Sequence, residues 1–454
     1  MKQLLFMTIL LMIGALGAIV HPFYGVLLYY TFAVLRPQYL WKWALPIDVR
    51  WSLLAALATM AGVAMALPRV IANARWNAVA TLMIVFAGLL VFSCLTAVNA
   101  DIAQRWGIEY AKIFLMATIA TLVIHRMAHV RYLAIMIFVT IGYIAWEINS
   151  LYLFDGRLDI FHYGFGGLDN NGAALMIAMG LPFAYAFSQL WKRKWLQLAC
   201  ALAAAFMTHA VLMSYSRGGM LSGIVGVLWL LLHHRPRWQI APLLGVAILG
   251  LAVMAGPEIQ ERFLSVQGYE EDQSAQSRFD SWSAAWAMAW DHPFTGVGVR
   301  NANLFSEHYG ADRFGRTIHS QYLQIAADSG IPAMAVYILL AVVALHRLGR
   351  LRRDYGGQDP VDPEIAHIAL AVQTSLIIFL FGGIFLSLEV VELPWLLLVM
   401  AGVMPAIARR HAPLADAEES EEREDEAVED EVSDEHAPAG MPRDLLPWPG
   451  GLSP

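Results

Sequence analysis

Four polar side chains stand out in an otherwise apolar chain. Arg217 lies in "SYSRGGM", Arg278 in "SRFDSWSAAWAMAWDHP", Arg300 directly after "TGVGV", and His319 in "RTIHSQYLQIAADSGIP". A guanidinium is a planar fork of donors that suits phosphate. In "SYSRGG" two glycines follow the arginine, so the backbone can approach a ligand, and they open the next apolar segment. A helix N-terminus there would itself attract an anion. The same arginine also fits a plainer reading, a side chain snorkelling from the end of a span. Arg278 lies one helical step before Trp282, Trp286 and Trp290, which recur every fourth residue; it is either a ligand-facing cation or a solvated one. Arg300 follows a lone "GVG", which is no dinucleotide motif without a strand–helix–strand context. His319 is either a reactive group at a membrane surface or a structural polar residue near a helix start.

Other candidates are weaker. Glu270, Glu271 and Asp272 could bind a cation, but read more simply as a solvated loop tip. Glu147 and His209 fall within apolar segments. Ionisable groups there are functional candidates by default, although two or three are few for a proton-driven pump, and a polar contact between helices ranks first. Cys94 and Cys200 are the two cysteines and both lie in apolar runs, which leaves no extracytoplasmic disulfide and no cysteine-based metal site.

What must position these residues is a membrane. The chain has 454 residues, 58% of them hydrophobic, and a mean hydropathy of +0.54. Runs of about 20 apolar residues, enough to cross a bilayer, recur along nearly the whole length. The sequence predicts an all-α, polytopic membrane helix bundle. Spans are expected near 3–20, 23–36, 51–67, 77–97, 108–124, 133–154, 171–190, 196–214, 218–233, 238–255, 331–346, 365–387 and 394–409, twelve or thirteen in all. The first run lacks a clear A-x-A site and is read as a span rather than a signal peptide.

Lysine and arginine in short loops set the orientation. "WKRKW", "HHRPRW" and "HRLGRLRRD" are placed in the cytoplasm. Alternation then puts "YSRGG", the 154–171 loop and the long stretch 257–330 outside. That stretch carries five arginines, ten acidic residues and no lysine. The chain thus divides into membrane helices 1–256, an outer helical loop 257–330, membrane helices 331–410 and a tail 411–454. Residues 416–435 alone hold 13 acidic residues against one arginine, so the tail is expected to be disordered and cytoplasmic. Within the outer loop, the tryptophan segment reads as an interfacial helix that stops at "DHP". A second helix is expected from Thr317 as N-cap to Asp328-Ser329-Gly330, with His319 in its first turn and Pro332 opening the next span.

The ordered set "SYSRGG", "SRFDSWSAAWAMAWDHPFTGVGVRNAN" and "IHSQYLQIAADSGIPAMAVYILL" resembles the bacterial O-antigen ligase and polymerase (WaaL/Wzy-like) superfamily over about residues 160–345. "HPFYGVLLYYTFAVLRPQYLW" and "LDNNGAALMIAMGLPFAYAF" look like its exosortase-associated O-glycosylation ligase branch. The resemblance implies a GT-C-like fold in the bacterial inner membrane and a metal-independent ligase reaction. A glycan on undecaprenyl diphosphate would pass, on the periplasmic face, to a hydroxyl of lipid A-core, another glycan or a protein. It also implies diphosphate-binding roles for Arg217, Arg278 and, least directly, Arg300, and a catalytic role for His319. The family pattern has Asn after the histidine where this chain has Ser320. No cofactor and no nucleic acid is implied. A Wzy-type polymerase shares these motifs. A flippase for the lipid-linked glycan is the alternative of another class, but no inverted repeat of the transporter kind is evident.

Overall fold

The computed structural model describes residues 2–46, 48–156, 160, 162, 164–233, 273–311, 315, 317–356, 362–388 and 390–410. The expected span 238–255, the Glu270–Asp272 trio and the tail 411–454 lie outside the described residues. The chain divides into two compact units, Met1–Ile407 and Ala408–Pro454. Of the second, only the last turn of a helix, to Arg410, is described.

Among the described residues the fold is helical, with one isolated bridge between Phe165 and Leu168. The helices are α1 (Lys2–Val20), α2 (Pro22–Leu35), α3 (Pro37–Leu40), α4 (Trp51–Met65), α5 (Leu67–Asn73), α6 (Ala78–Leu95), α7 (Ala100–Val123) and α8 (Met127–Asp155). They continue as α9 (Asn170–Ala178), α10 (Leu181–Leu190), α11 (Lys194–Met213), α12 (Arg217–His233) and α13 (Gln273–Asp291). The last are α14 (Ala302–Phe305), α15 (Gln321–Ser329), α16 (Ile331–Tyr355), α17 (Pro363–Gly382) and α18 (Glu392–Arg410).

Nine helices or helix pairs among the described residues are long and apolar enough to cross a membrane, ten if the bent pair α4–α5 counts as one span. Twelve or thirteen spans are expected over the whole chain; nine or ten are found among the described residues. The difference has identifiable sources. One expected span lies outside the described residues. Helix α2 has only 14 residues, too short at 1.5 Å per residue to span alone, and α12 is described over 17 residues, as far as His233. The α4–α5 pair bends by 85° where Ala66 leads into Leu67-Pro68, since proline cannot continue the i→i−4 ladder. Helix ends also run past the apolar windows: α16 continues to Tyr355 rather than 346, because charged residues outside the hydrocarbon still extend a helix. In the other direction, α17 stops at Gly382 rather than 387.

Local chemistry explains the starts. Asn77 caps α6 by accepting from Ala80 N–H at 3.1 Å, and Asn99 caps α7 by accepting from Ile102 N–H at 3.2 Å. Asp362 accepts from the N–H groups of Glu364 and Ile365 at the start of α17. Each takes up a donor that the helix leaves orphaned. The outward faces stay apolar. In α1 only Met7 and Ala18 are buried, while Leu5, Met12, Ile13 and Leu16 are exposed, as suits a lipid-facing helix.

An aromatic knot of Phe86, Phe114, Tyr337 and Trp395 joins α6, α7, α16 and α18; Trp395 sits 4.8 Å from Phe114 and 5.8 Å from Phe86 between ring centres. The intramembrane polar groups pair with each other. His209 Nδ1 meets Asn149 Oδ1, and Asn149 donates to Phe206 O at 2.9 Å. Tyr143 donates to Glu147 at 3.4 Å. His209 thus makes the helix-to-helix contact expected of it, from α11 to α8, whereas the Glu147 contact stays within α8.

Candidate functional site

Arg217 is the first residue of α12, and the residues before it are tightly organised. Ser216 Oγ accepts from Gly219 N–H at 3.1 Å and donates to Asn171 Oδ1 at 2.7 Å. Asn170 Nδ2 donates to Ser214 O at 2.9 Å. Asp169 in turn caps α9, accepting from Gly172 N–H at 2.8 Å. The "LDNN" and "SYSRGG" motifs therefore interlock, with the N-termini of α9 and α12 side by side. Gly219 is required there: a Cβ on it would lie 2.6 Å from Ala174 Cβ. Two helix N-termini and a guanidinium at one place make an electropositive corner.

His319 differs in detail from its expected position. The helix that follows begins at Gln321, with Ser320 as N-cap rather than Thr317. His319 thus precedes the helix instead of lying in its first turn, and takes a left-handed backbone, φ 54°. That conformation costs a non-glycine residue energy and has to be held from outside. Part of the hold comes from Trp282, whose indole Nε1 donates to His319 O at 3.4 Å. Arg278 lies on α13 one helical turn before Trp282.

Helix α13 ends at Asp291, as expected from "DHP". Its tryptophans divide. Trp286 and Trp290 are exposed, at 42% and 61%. Trp282 packs against a small core of Ala284, Ala285, Met288, Val297, Ala302, Ile318 and Ala327. Of the three indoles expected at headgroup level, two are exposed and Trp282 is turned inward. The alanine face of α13 lets α15 come close.

The Gly-rich turn is a clasp around the end of α15. Val297 N–H donates to Ala327 O and Gly298 N–H to Asp328 O, both at 2.9 Å, and Ile331 N–H donates to Pro293 O at 2.8 Å. Asp328 is buried. It accepts from Ala302 N–H at 2.9 Å and from Gln324 Nε2 at 2.7 Å. Gly296 has φ +64°, and a Cβ there would lie 2.3 Å from Asp328 C. Asn301 fastens the clasp to the bundle: it accepts from Asn99 N–H at 2.9 Å and donates to Asn99 O at 3.2 Å. Arg300, also left-handed at φ 57°, lays its guanidinium 4.6 Å over the Trp106 ring of α7, a cation–π contact.

Helix α15 is seated on the segment 383–388 that follows α17. Gln321 N–H donates to Gly383 O at 2.8 Å, Leu388 N–H donates to Gln321 Oε1 at 3.3 Å, and Gln321 Nε2 reaches the Tyr337 hydroxyl. Tyr322 donates to Leu380 O at 2.6 Å; burial pushes its phenol up to about 12, so it remains a hydroxyl donor. The same segment touches the arginine corner. A Cβ on Gly172 would lie 3.1 Å from Leu388 Cδ2, and one on Gly218 3.6 Å from Phe385 Cβ. The starts of α9, α12 and α15 thus meet one stretch of chain, which brings the segments of Arg217 and His319 to the same end of the bundle.

Several residues of this arrangement were not evident from the sequence. Residues 383–387 read as the end of a span, because Ser387 is the one polar side chain among them. Asp328, Asn301 and Gln321 carry no motif of their own. Arg36 was also missed: it ends α2, donates to Gly166 O at 2.6 Å and pairs with Glu392 at 3.4 Å. The polar cluster in "LRPQYLW" was the available signal.

Residues 202–338 match the family model Wzy_C, described as O-antigen ligase. No curated protein matches the chain. The matched stretch runs from within α11 to the start of α16 and includes Arg217, Arg278, Arg300 and His319. With its membrane-length helices on both sides of that stretch, the chain is a multi-pass membrane protein with a region that matches the Wzy_C O-antigen ligase family model.

Proposed function

We propose that this protein transfers a glycan from undecaprenyl diphosphate to an acceptor hydroxyl on the periplasmic face of the inner membrane. In this reading Arg217 and Arg278 hold the diphosphate, with Arg300 a third and more distant cation. His319 accepts the proton of the acceptor hydroxyl. The acceptor oxygen forms a bond to the anomeric carbon as the bond from that carbon to the diphosphate oxygen breaks. Undecaprenyl diphosphate leaves with its charge, and the proton rests on His319.

One observation carries the reading. Arg217 begins a helix, His319 immediately precedes another, and both starts contact segment 383–388. A lipid diphosphate is already activated, so the protein need only bind, orient and stabilise developing negative charge. Fixed guanidinium forks and helix N-termini supply that without a metal. A positioned histidine supplies the base. The match to the Wzy_C O-antigen ligase model supports lipid-linked glycan substrates.

The test is a deletion strain whose glycolipids, surface polysaccharide and glycoproteins are analysed together. Full-length glycan left unlinked to its acceptor is the expected result. Loss of chain length with linkage intact would point to a polymerase. Donor lipid trapped on the inner leaflet would replace the enzyme with a flippase.

A further inference from the structure

At the far end of α8 from the loop that carries "LDNN", three histidines meet. His21 sits in the turn between α1 and α2 and caps α2, its Nδ1 accepting from Phe23 N–H at 3.2 Å. His125 lies between α7 and α8, and His129 in the first turn of α8. The ring centres are 5.9, 5.3 and 4.9 Å apart. One ring nitrogen from each lies within 4.8 Å of the others. His125 and His129 are four residues apart, and His21 comes from 104 residues earlier, so only the packing of α2 on α8 assembles the group.

The rings could be mere aromatic packing, and His129 does stack on Phe23 at 4.0 Å with 9° between planes. Two features exceed that reading. His129 is 92% buried, as 8% exposure leaves it, yet its Nδ1 has no hydrogen-bond partner among the described residues. A buried imidazole nitrogen normally has one. His125 Nδ1 lies 2.8 Å from Val123 O; only an N–H can make that contact, so its Nε2 carries the free lone pair. A backbone carbonyl that fixes the tautomer in this way is the usual support of a metal-bound histidine.

We propose that His21, His125 and His129 bind a divalent transition-metal ion, zinc by preference, which clamps the α1–α2 turn to the α7–α8 turn. Imidazole suits zinc, and three such ligands leave a fourth position for water. His21 gives up its cap to Phe23 on binding, a hydrogen bond already at the long end of the range. Arg126 and the N-terminus of α8 work against a cation, the helix end by less than about tenfold. Three coordination bonds outweigh them. The clamp would be structural, since it sits away from Arg217 and His319.

Full-length protein in detergent, stripped with a chelator and repurified, is titrated with zinc and separately with cobalt(II). About one zinc per chain and a tetrahedral cobalt spectrum are expected. His125→Gln should weaken zinc binding by at least about 10-fold, and Arg126→Gln should tighten it. Wild type that takes up no more zinc than the His21→Gln/His125→Gln/His129→Gln variant overturns the site. Should that variant fail to fold, X-ray absorption of the wild-type zinc form decides. Imidazole nitrogens at about 2.0–2.1 Å support the site, and an oxygen-only shell sinks it.

Discussion

The indole N–H of Trp282 reaches the backbone carbonyl of His319, 3.4 Å away across 37 residues of chain. The contact links α13 to the left-handed residue before α15, and so couples the tryptophan helix to the histidine. Trp282→Phe keeps the ring packing but removes the donor. A single long hydrogen bond contributes modestly, so transfer from a lipid-linked donor should fall by about 2- to 10-fold. Trp286→Ala, at an exposed position of the same helix, should leave turnover per inserted molecule nearly unchanged. Equal losses in both would mean that Trp282 matters only as membrane anchorage.

His319→Ala should insert normally and lower transfer by roughly 10²–10⁴-fold, the size of a general-base contribution. His319→Gly is a useful companion, because glycine adopts φ 54° freely. If the glycine variant is as inactive as the alanine variant, the loss belongs to the imidazole and not to the backbone. Arg217→Ala should instead weaken donor binding, and Arg217→Lys should restore it only in part, as an ammonium lacks the planar fork. Near wild-type transfer by His319→Gly would move the base elsewhere in the loop.

Asp328 is a test of architecture rather than chemistry. Asp328→Ala strands the Ala302 N–H and the Gln324 amide in a buried place, at about 1–3 kcal/mol each. Gly296→Ala drives a Cβ into Asp328 C, a 2.3 Å approach. Both variants should lower the unfolding temperature in detergent and sharpen proteolysis within 273–330. A variant with unchanged melting but lost transfer would make Asp328 a participant in the reaction.

The sidedness of the loop can be read with single cysteines. Gly310→Cys and Gly315→Cys, both at exposed positions, should react with an impermeant thiol reagent in intact spheroplasts. Arg350→Cys and Arg353→Cys should not. The native Cys94 is half-buried and Cys200 buried, which keeps the background low. The reverse labelling pattern would overturn the periplasmic placement of the reaction.

Magnesium and manganese should have no effect on transfer by chelator-treated protein, because guanidinium groups rather than paired carboxylates are assigned to the diphosphate. Activity restored by either ion would promote the acidic residues of the 257–330 loop to ligands. Restoration by zinc alone would report instead on the histidine cluster at the other end of α8.

The sequence by itself determined the class of molecule and singled out the residues proposed to react. Apolar runs of bilayer length need no partner to be recognised. Proline and glycine ended α13 and α15 where their backbone limits require, at Asp291 and Ser329. Arg217, Arg278, Arg300 and His319 were legible because polar groups are rare in such a chain. Tertiary structure decided what long-range contacts decide. It moved the start of α15 from Thr317 to Ser320, since docking of Gln321 on Gly383 selects which residue can leave the helix. It turned Trp282 inward while Trp286 and Trp290 stay out, a choice that period-four spacing cannot make because all three share a face. Segment 383–388 became the seat of three helix starts, although its composition is that of a span. His21 joined His125 and His129 only because α2 packs on α8; no local pattern links residues a hundred positions apart, and only burial of both helices against each other could bring their imidazoles together.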